Sequence, residues 1–373
     1  MNKTIGIFGG GQLGRMMAQA ALPLNLQCTF FEAETNCPAA ILGPVFSSKN
    51  EQGLQDFIAS ADVFSLEFEN TPVADVDVLT QTKTLHPPRL ALATAQNRLA
   101  EKALFDQLAI PVAPYRAVDS LESLKQAVAE LGLPIVLKTV TGGYDGKGQF
   151  VLRSEDQIDT AWAELGPAKS LIAESFVKFS REVSIIAVRG QNGDVKTWAL
   201  AENHHHNGIL SHSIVPAPNS TDLQPVAQDY ITRLLNHLNY VGVLTLELFV
   251  TEQGLYANEM ACRVHNSGHW SIEGAICSQF ENHIRAVAGL PLGSTDVVRP
   301  TVMINIIGQH PKSEDVLALK GAHLHLYNKS ERAGRKLGHI TLMPNNSDEL
   351  TMLCRQLAKI LPVPLALTDD MNL

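Results

Sequence analysis

Cysteine is scarce and unpatterned. The five present (Cys28, Cys37, Cys262, Cys277 and Cys354) form no CxxC pair and no metal-ligand spacing, and their number is odd. A disulfide framework and a thiolate zinc site are therefore not expected, and reduced thiols in the cytosol fit best. Long hydrophobic runs are missing too: no uninterrupted apolar stretch reaches membrane-spanning length, and MNKTIGIFGGG enters a strand-like run with no apolar signal core. Neither membrane insertion nor secretion is expected. Basic charge is in deficit, with 29 Lys and Arg against 38 Asp and Glu for a formal charge of −9. A broad nucleic-acid or anionic-membrane surface works through excess Lys and Arg, so any phosphate site here must be local. Internal repeats and low-complexity tracts are absent. What remains is an ordinary globular composition, 45% hydrophobic and 18% charged over 373 residues, long enough for about two or three domains without covalent staples.

The first segment reads as α/β. Residues 4–8 form a buried strand, 9–14 a tight glycine turn, 12–21 a helix and 27–31 a second strand ending at Glu32. Residues 63–68 read as a later strand of the same sheet, running into Glu67, Glu69 and Asn70. Carboxyl ends of strands line the crevice of an open α/β sheet, so these residues are site candidates. The paired prolines of HPPRL at 86–90 place the first domain boundary nearby. From Asp119 the pattern changes. Leu121, Leu124, Val128 and Leu131 recur at helical spacing behind a capping box of Asp119 and Glu122. Strands at 135–138 and 149–152 flank TGGYDGKG, and Ile158, Ala161, Trp162 and Leu165 mark a second amphipathic helix behind Ser154 and Gln157, completing a small α+β module. Strands follow at 171–173, 182–188 and 195–201, the last two joined by an Asn192-Gly193 turn, and a second hairpin pairs 243–250 with 255–260.

GGGQLG fits the GxGxxG template through Gly9, Gly11 and Gly14, with Glu32 roughly 20 residues on. Alone it admits a nicotinamide dinucleotide, another ligand or a purely structural turn, because glycines serve any close backbone approach. TGGYDGKGQF is more informative. Gly142, Gly143, Gly146 and Gly148 lie between two strands rather than before a helix, so this is not a Walker A loop. It can fold over a triphosphate, with Lys147 and Lys138 supplying charge, or be a mobile hairpin with a solvated lysine. Glu247 and Glu259 sit on two strands whose turn centres near Gln253, which brings them roughly opposite one another. Leu244, Leu246, Leu248 and Val250 take one face of their strand and leave Glu247 on the other, beside Thr245 and Phe249. Like charges so placed repel. Mg²⁺ on oxygen ligands, with Asn258 adjacent, resolves that, as does pairing with an arginine such as Arg263. The run ACRVHNSGH leaves this strand with Arg263, His265, Asn266 and Ser267. YNKSERAGRKLGH gathers Lys329, Arg332, Arg335, Lys336 and His339 about a glycine turn, a positive patch that suits a phosphate monoester or is simply solvated. His204, His205 and His206 do not read as zinc ligands, since neighbours on an extended strand cannot all face one ion.

GGGQLGRM, EFEN at 67–70, Asn97-Arg98, GGYDGKGQ, ESFV at 174–177, LELF, NEMACRVHNSGHW and GRKLGH stand in the order found in 5-(carboxyamino)imidazole ribonucleotide synthases. The chain resembles that family, the N5-CAIR synthetases of the ATP-grasp superfamily, essentially from end to end. The resemblance implies a mixed α/β and α+β architecture. It places a Rossmann-like pre-ATP-grasp domain over 1–97, a lid domain over 98–178, a C-terminal ATP-grasp domain over 179–300 and a subdomain completing the substrate site over 301–373. The implied reaction is ATP-dependent carboxylation of 5-aminoimidazole ribonucleotide by bicarbonate in purine biosynthesis, through carboxyphosphate, with Mg²⁺, in a cytoplasmic homodimer.

Residue by residue, the resemblance implies that Arg98 and Lys138 contact ATP phosphates and that Gly143, Tyr144, Asp145, Gly146, Lys147, Gly148 and Gln149 form the lid loop. Glu174, Ser175, Phe176 and Val177 would face adenine, Glu182 the ribose, and His205 would lie near the nucleotide. Glu247 and Glu259 would hold the metal, with Asn258 beside them. Gln12, Leu13, Glu67, Tyr144, Asp145, Arg263 and His265 would surround the substrate imidazole and ribose, and Lys329 with Arg335 would clamp its phosphate. Arg263, Lys147 and Asp145 would carry catalysis. Two departures stand out: Ala333 replaces a frequent proline in the 332–336 turn, and Asn328 a frequent glycine. Neither removes a charge. Other classes the residues leave open are an NAD-dependent dehydrogenase, a non-catalytic nucleotide-binding regulator and, closest, a sister ATP-grasp ligase acting on another amine or on formate.

Overall fold

The computed structural model describes residues 3–143, 148–168 and 170–363, which fold around three sheets. The first is parallel: β1 (Thr4–Phe8), β2 (Gln27–Glu32), β3 (Val45–Ser47), β4 (Val63–Leu66) and β5 (Thr84–Leu85), in the order β3-β2-β1-β4-β5. Ile5, Ile7, Phe30, Phe64 and Leu66 are fully buried, as near-continuous apolar strands covered on both faces must be. The helix Gln12–Ala21 follows β1 and buries Leu13, Met16, Met17 and Ala21 on one face. Strand order reverses between β1 and β4, so the crevice opens beyond Phe8 and Leu66, where the glycine turn and EFEN follow. β4 stops at Leu66 rather than continuing through Phe68. The chain turns there because Thr71 donates through both its N–H, at 3.3 Å, and its hydroxyl, at 2.8 Å, to the Phe68 carbonyl.

The second sheet is antiparallel: β6 (Tyr115–Val118), β7 (Ile135–Thr139), β8 (Gln149–Leu152) and β9 (Leu171–Ser175), in the order β6-β9-β7-β8. Helices Leu121–Leu131 and Ile158–Leu165 cover it through Leu124, Val128, Ile158, Ala161 and Leu165. The capping box of the first helix lies one residue beyond the expected Asp119 and Glu122. Ser120 Oγ accepts the Ser123 N–H at 3.1 Å and Ser123 Oγ the Ser120 N–H at 3.0 Å, while Asp119 takes the Ser123 hydroxyl proton at 3.1 Å. A hydroxyl serves at the third position as well as the expected carboxylate, so the register is set by which residue leaves the extended conformation last.

The third sheet holds β10 (Arg181–Arg189), β11 (Val195–Thr197), β12 (Ala201–His206), β13 (Ile209–Val215), β14 (Gly242–Thr251), β15 (Gly254–Ala261), β16 (Thr301–Ile307), β17 (Ala322–Leu326) and β18 (Lys336–Leu342). Its order is β15-β14-β10-β12-β13-β16-β18-β17, with β11 paired to β10 beside the path. The single strand expected over 195–201 is two strands. Between them Gln224, from the helix Leu223–His237, accepts the Leu200 N–H at 2.8 Å and donates to the Trp198 carbonyl at 3.1 Å, replacing ladder partners. Because β13 pairs with β16, residues on either side of 300 share one sheet. Helix Gln279–Ala288 packs against Gln12–Ala21 on one side and against β10 and β14 on the other, joining the first and third sheets through a common core.

Candidate functional site

All three sheets contribute to one cleft of about 1320 Å³. At its N-terminal end the glycine turn is already filled. Glu67 accepts the Gly11 N–H at 2.6 Å and the Leu13 N–H at 3.1 Å, and a Cβ at Gly11 would stand 2.3 Å from its carboxylate. Glu32 turns back to the Gly10 N–H at 3.1 Å. The donors that would cradle a pyrophosphate in a dinucleotide-binding fold are thus occupied by the chain's own carboxylates, which removes the basis for the dehydrogenase reading. Burial pushes Glu67 up from the ordinary carboxyl value, against the pull of the Gly11, Gly14 and Leu13 amides.

The C-terminal turn comes to this same end. Lys329 donates to the Gln12 side chain, and burial lowers the Lys329 ammonium to about 8, with Glu67 opposing and Arg335, Lys336 and Arg332 adding to the fall. Asn328 has φ 56°, a left-handed conformation that asparagine tolerates better than other non-glycine residues, which explains how it replaces glycine. Gly334 has φ 73°, and the turn closes through Arg335 N–H to the Arg332 carbonyl at 3.0 Å without a proline. Arg263, entering from the end of β15, is gripped by Glu69 through Nη2 at 2.8 Å and through Nε. Burial alone would raise Glu69, but the Arg263 charge and hydrogen bonds outweigh it and hold the carboxyl at about 2; the same pair raises Arg263.

The opposite end gathers the residues expected to meet a nucleotide. Arg98, at the start of helix Arg98–Gln107, pairs with Glu259 at 3.0 Å and reaches the Gly143 carbonyl at 3.4 Å. Lys138 on β7 pairs with Glu174 on β9 at 3.1 Å, and burial lowers the lysine from its ordinary value against the carboxylate's pull. Glu182 on β10 lies 3.3 Å from His205 on β12, and this partner raises the histidine despite its burial. Phe176 lines the cleft mouth, as does Phe179 stacked on Phe249 at 4.6 Å. Gln149 and Gly143 also line it; Glu174 is buried beneath, and Gly148, Ser175 and Val177 stand outside the lining. Tyr144, Asp145, Gly146 and Lys147 lie outside the described residues.

Between these ends, β14 and β15 carry the two acids. Leu246 pairs with Met260 and Leu248 with Ala257, so Glu247 faces both Asn258 and Glu259 across a β-bulge. All three line the cleft. The expected arginine partner of these acids is not Arg263: Glu259 pairs with Arg98, and Glu247 lies 3.2 Å from His265. Burial works to raise Glu247, but His265, His205 and Lys336 outweigh it and keep the carboxyl below its ordinary value. Among the described residues no group of three or more His, Cys, Asp or Glu side chains is placed to hold an ion by itself. An all-oxygen set of two carboxylates and an amide, open to a cleft, nevertheless fits Mg²⁺, which keeps waters and completes its shell with phosphate oxygens.

Two buried charges escaped the sequence reading. Lys102 is 2% exposed, donates to the Asn258 carbonyl at 2.8 Å and lies 3.5 Å from Glu174. Glu101 accepts the Met260 N–H at 2.7 Å, and burial together with Glu259 raises it to about 8. The available signal was the pair of adjacent charges sharing the buried face of Arg98–Gln107 with Leu104 and Phe105.

Known proteins resemble the chain over nearly all of its length. Residues 1–96 match the ribonucleotide synthetase preATP-grasp domain family, 103–280 the ATP-grasp domain and 301–352 the phosphoribosylaminoimidazole carboxylase C-terminal domain. An N5-carboxyaminoimidazole ribonucleotide synthase of Vibrio cholerae is 44% identical over 361 residues, 95% of this chain and 94% of that protein. The crystal structure of N5-carboxyaminoimidazole ribonucleotide synthetase from Thermus thermophilus aligns with a TM-score of 0.92 at 44% identity, covering 96% of this chain and 99% of that one. The Aspergillus clavatus N5-carboxyaminoimidazole synthase, in complex with ADP and 5-aminoimidazole ribonucleotide, aligns with a TM-score of 0.89 at 29% identity, covering 96% and 98%.

Proposed function

The chain belongs to the N5-carboxyaminoimidazole ribonucleotide synthase family, and from that premise we propose that it joins bicarbonate to the exocyclic amine of 5-aminoimidazole ribonucleotide, cleaving ATP to ADP and phosphate. It is an ATP-dependent ligase of the ATP-grasp type, acting in purine biosynthesis. The observation that carries the assignment to this cleft is the placement of its charges. Arg98 and Lys138 stand at one end, Glu247 and Glu259 between the ends, and a Lys329–Arg335 turn stands against Gln12 and Glu67 at the other.

A bicarbonate oxygen attacks the terminal phosphorus of ATP and ADP departs, leaving carboxyphosphate. The substrate amine then either attacks the carboxyl carbon, expelling phosphate and losing a proton, or attacks CO₂ already released together with phosphate in the closed site and loses a proton. Catalysis of this kind is mostly positioning and charge neutralisation. Glu247 and Glu259, with Asn258 adjacent, would hold Mg²⁺, which supplies neutralisation of polyphosphate charge when bound. Arg98 and Lys138 bind phosphate oxygens, Glu182 the ribose hydroxyls, and Glu174, Ser175, Phe176 and Val177 form the strand offered to adenine. His205 lies beside the nucleotide. Residues 143–149 close over the phosphates and exclude water, which would otherwise hydrolyse the acyl phosphate. At the far end Lys329 and Arg335 clamp the substrate phosphate. Gln12, Leu13, Glu67, Tyr144, Asp145 and His265 hold the ring and ribose, and Arg263, Lys147 and Asp145 balance the developing charge and move protons. Segments 1–97, 98–178, 179–300 and 301–373 serve as the working units of a cytoplasmic homodimer. Consistent with reduced thiols, the five cysteines are free and buried. No helix among the described residues is long and apolar enough to cross a membrane.

The test is ADP release with the ribotide and bicarbonate each omitted in turn. Full turnover needs both; an undiminished rate without the ribotide, or with formate in place of bicarbonate, reassigns the chain to a sister ligase. In the same assay Glu259→Gln abolishes ATP turnover while the circular dichroism spectrum is unchanged, and retained turnover removes Glu259 from the metal site.

A further inference from the structure

Below the cleft floor a row of buried hydrogen bonds crosses four neighbouring strands. Glu247 on β14, Ser184 on β10, Asn203 on β12 and Ser213 on β13 each supply one member. Ser184 is the register partner of Glu247 and Asn203 that of Ser213, so each pair projects to one face. The turn after β15 returns over this face and adds His265 and Ser267. Ser213 Oγ lies 2.7 Å from Asn203 Oδ1, Asn203 Nδ2 2.9 Å from Ser184 Oγ, and Ser184 Oγ 2.8 Å from Ser267 Oγ. Ser267 Oγ lies 2.9 Å from His265 Nδ1, and His265 Nε2 3.2 Å from Glu247 Oε1. Ser184, Ser213 and Ser267 are fully buried and Asn203 is 6% exposed, so water does not supply alternative partners.

The row has a direction. An amide has one donor end and one acceptor end, and Asn203 turns its acceptor to Ser213 and its donor to Ser184. Ser184 Oγ then gives its own proton to Ser267, and Ser267 gives its proton to His265 Nδ1, which also accepts the Ser267 N–H at 3.3 Å. Nε2 is left as the protonated ring nitrogen and donates to the Glu247 carboxylate. A reversed amide would make Nδ1 the donor and set the Nε2 lone pair against that carboxylate, so both ends of the row demand the same polarity.

We infer that Asn203, Ser184 and Ser267 are positioning residues that fix the Nε2–H tautomer and the ring plane of His265, and through it the Glu247 carboxylate, at the junction of nucleotide and substrate. Such outer partners orient a ligating group much as the residues behind a metal-bound histidine do. The inference rests on the proposed reaction only for the consequence in turnover; the tautomer itself is independent of it.

The experiment uses the full chain labelled with nitrogen-15 histidine, with His265 assigned by the signals lost in His265→Gln. In the unaltered protein the His265 Nδ1 resonance is that of an unprotonated, hydrogen-bonded nitrogen. Asn203→Asp accepts from both serines, reverses the row and puts a proton on Nδ1. Ser267→Ala lowers kcat roughly tenfold with the KM for ATP unchanged, and Ser267→Thr, which keeps the hydroxyl, restores it. Should Asp at 203 prevent folding, Ser184→Ala breaks the row at the next link and gives the same kinetic loss. An Nδ1-protonated ring in the unaltered protein, or variants that change neither the resonance nor kcat, overturns the inference. Absence of ribotide-dependent turnover with the expected resonances intact instead overturns the reaction and leaves the row standing.

Discussion

Arg263 is a partly buried cation whose carboxylate partner among the described residues comes from the end of a different sheet, and its behaviour follows from that. Glu69→Gln leaves the guanidinium without its counter-charge, and breaking this pair, whose side chains are 14% and 26% exposed, costs about 1–3 kcal/mol, between the values for an exposed and a fully buried pair. The expected result is a lower urea midpoint together with a fall in kcat of at least tenfold; unchanged values in both would mean that Glu69 does not hold Arg263. Lys329 supplies the second prediction at this scale. Burial holds it at about 8 in the free protein, and a bound phosphate favours its charged form, so kcat/KM for the ribotide falls as pH rises above about 8. Lys329→Met removes that limb of the profile, whereas a profile flat to about pH 10 in the unaltered enzyme contradicts the lowered value. These residue types were legible in the local motifs. Their partners were not: Glu69 stands 194 positions from Arg263, and Gln12 stands 317 from Lys329.

Helix Arg98–Gln107 is the element that couples β9 to β15 beside the cleft. Asn97 caps it by accepting the Ala100 N–H at 3.0 Å, Arg98 reaches Glu259, Glu101 holds the Met260 N–H, and Lys102 spans from Glu174 on β9 to the Asn258 carbonyl on β15. Lys102→Met keeps the volume but withdraws the charge from Glu174 and the bond from β15. It is expected to raise the KM for ATP several-fold and to destabilise the chain by roughly 2 kcal/mol; wild-type KM and melting temperature would show that the helix does not transmit strand position. Element boundaries were readable where the apolar period was clear, as in Gln12–Ala21 and the β14–β15 hairpin. They failed where a side chain took over backbone bonds, from a distant helix in one case and from within the first helical turn in the other. Gln224 interrupts the strand expected over 195–201, and Ser120 rather than Asp119 begins the helix after β6.

For the whole molecule, the join between the first and third sheets runs through His283. Its Nδ1 accepts the Val243 N–H at 3.0 Å and its Nε2 donates to Ser65 Oγ at 2.7 Å, and burial lowers the ring to about 3. The folded chain therefore binds fewer protons here than the unfolded one, whose histidine titrates near 6.5. The stability that this neutral ring contributes is complete above about pH 6.5 and is lost progressively down to about 3; His212 is lowered in the same way. Urea midpoints are expected to drop between about pH 7.5 and 5, with a shallower drop in His283→Gln; a midpoint that rises on acidification contradicts this. Short-range pattern was sufficient for the kinds of element, the glycine loops, the acidic hairpin and the basic turn, because propensity and hydrophobic period act over a few residues. Strand order, the bulge that faces Glu247 with two residues at once, the carboxylates that fill the glycine turn and the hydrogen-bonded row under His265 came only with packing. Electrostatics and hydrogen bonding depend on distance in space, and no local window carries that distance.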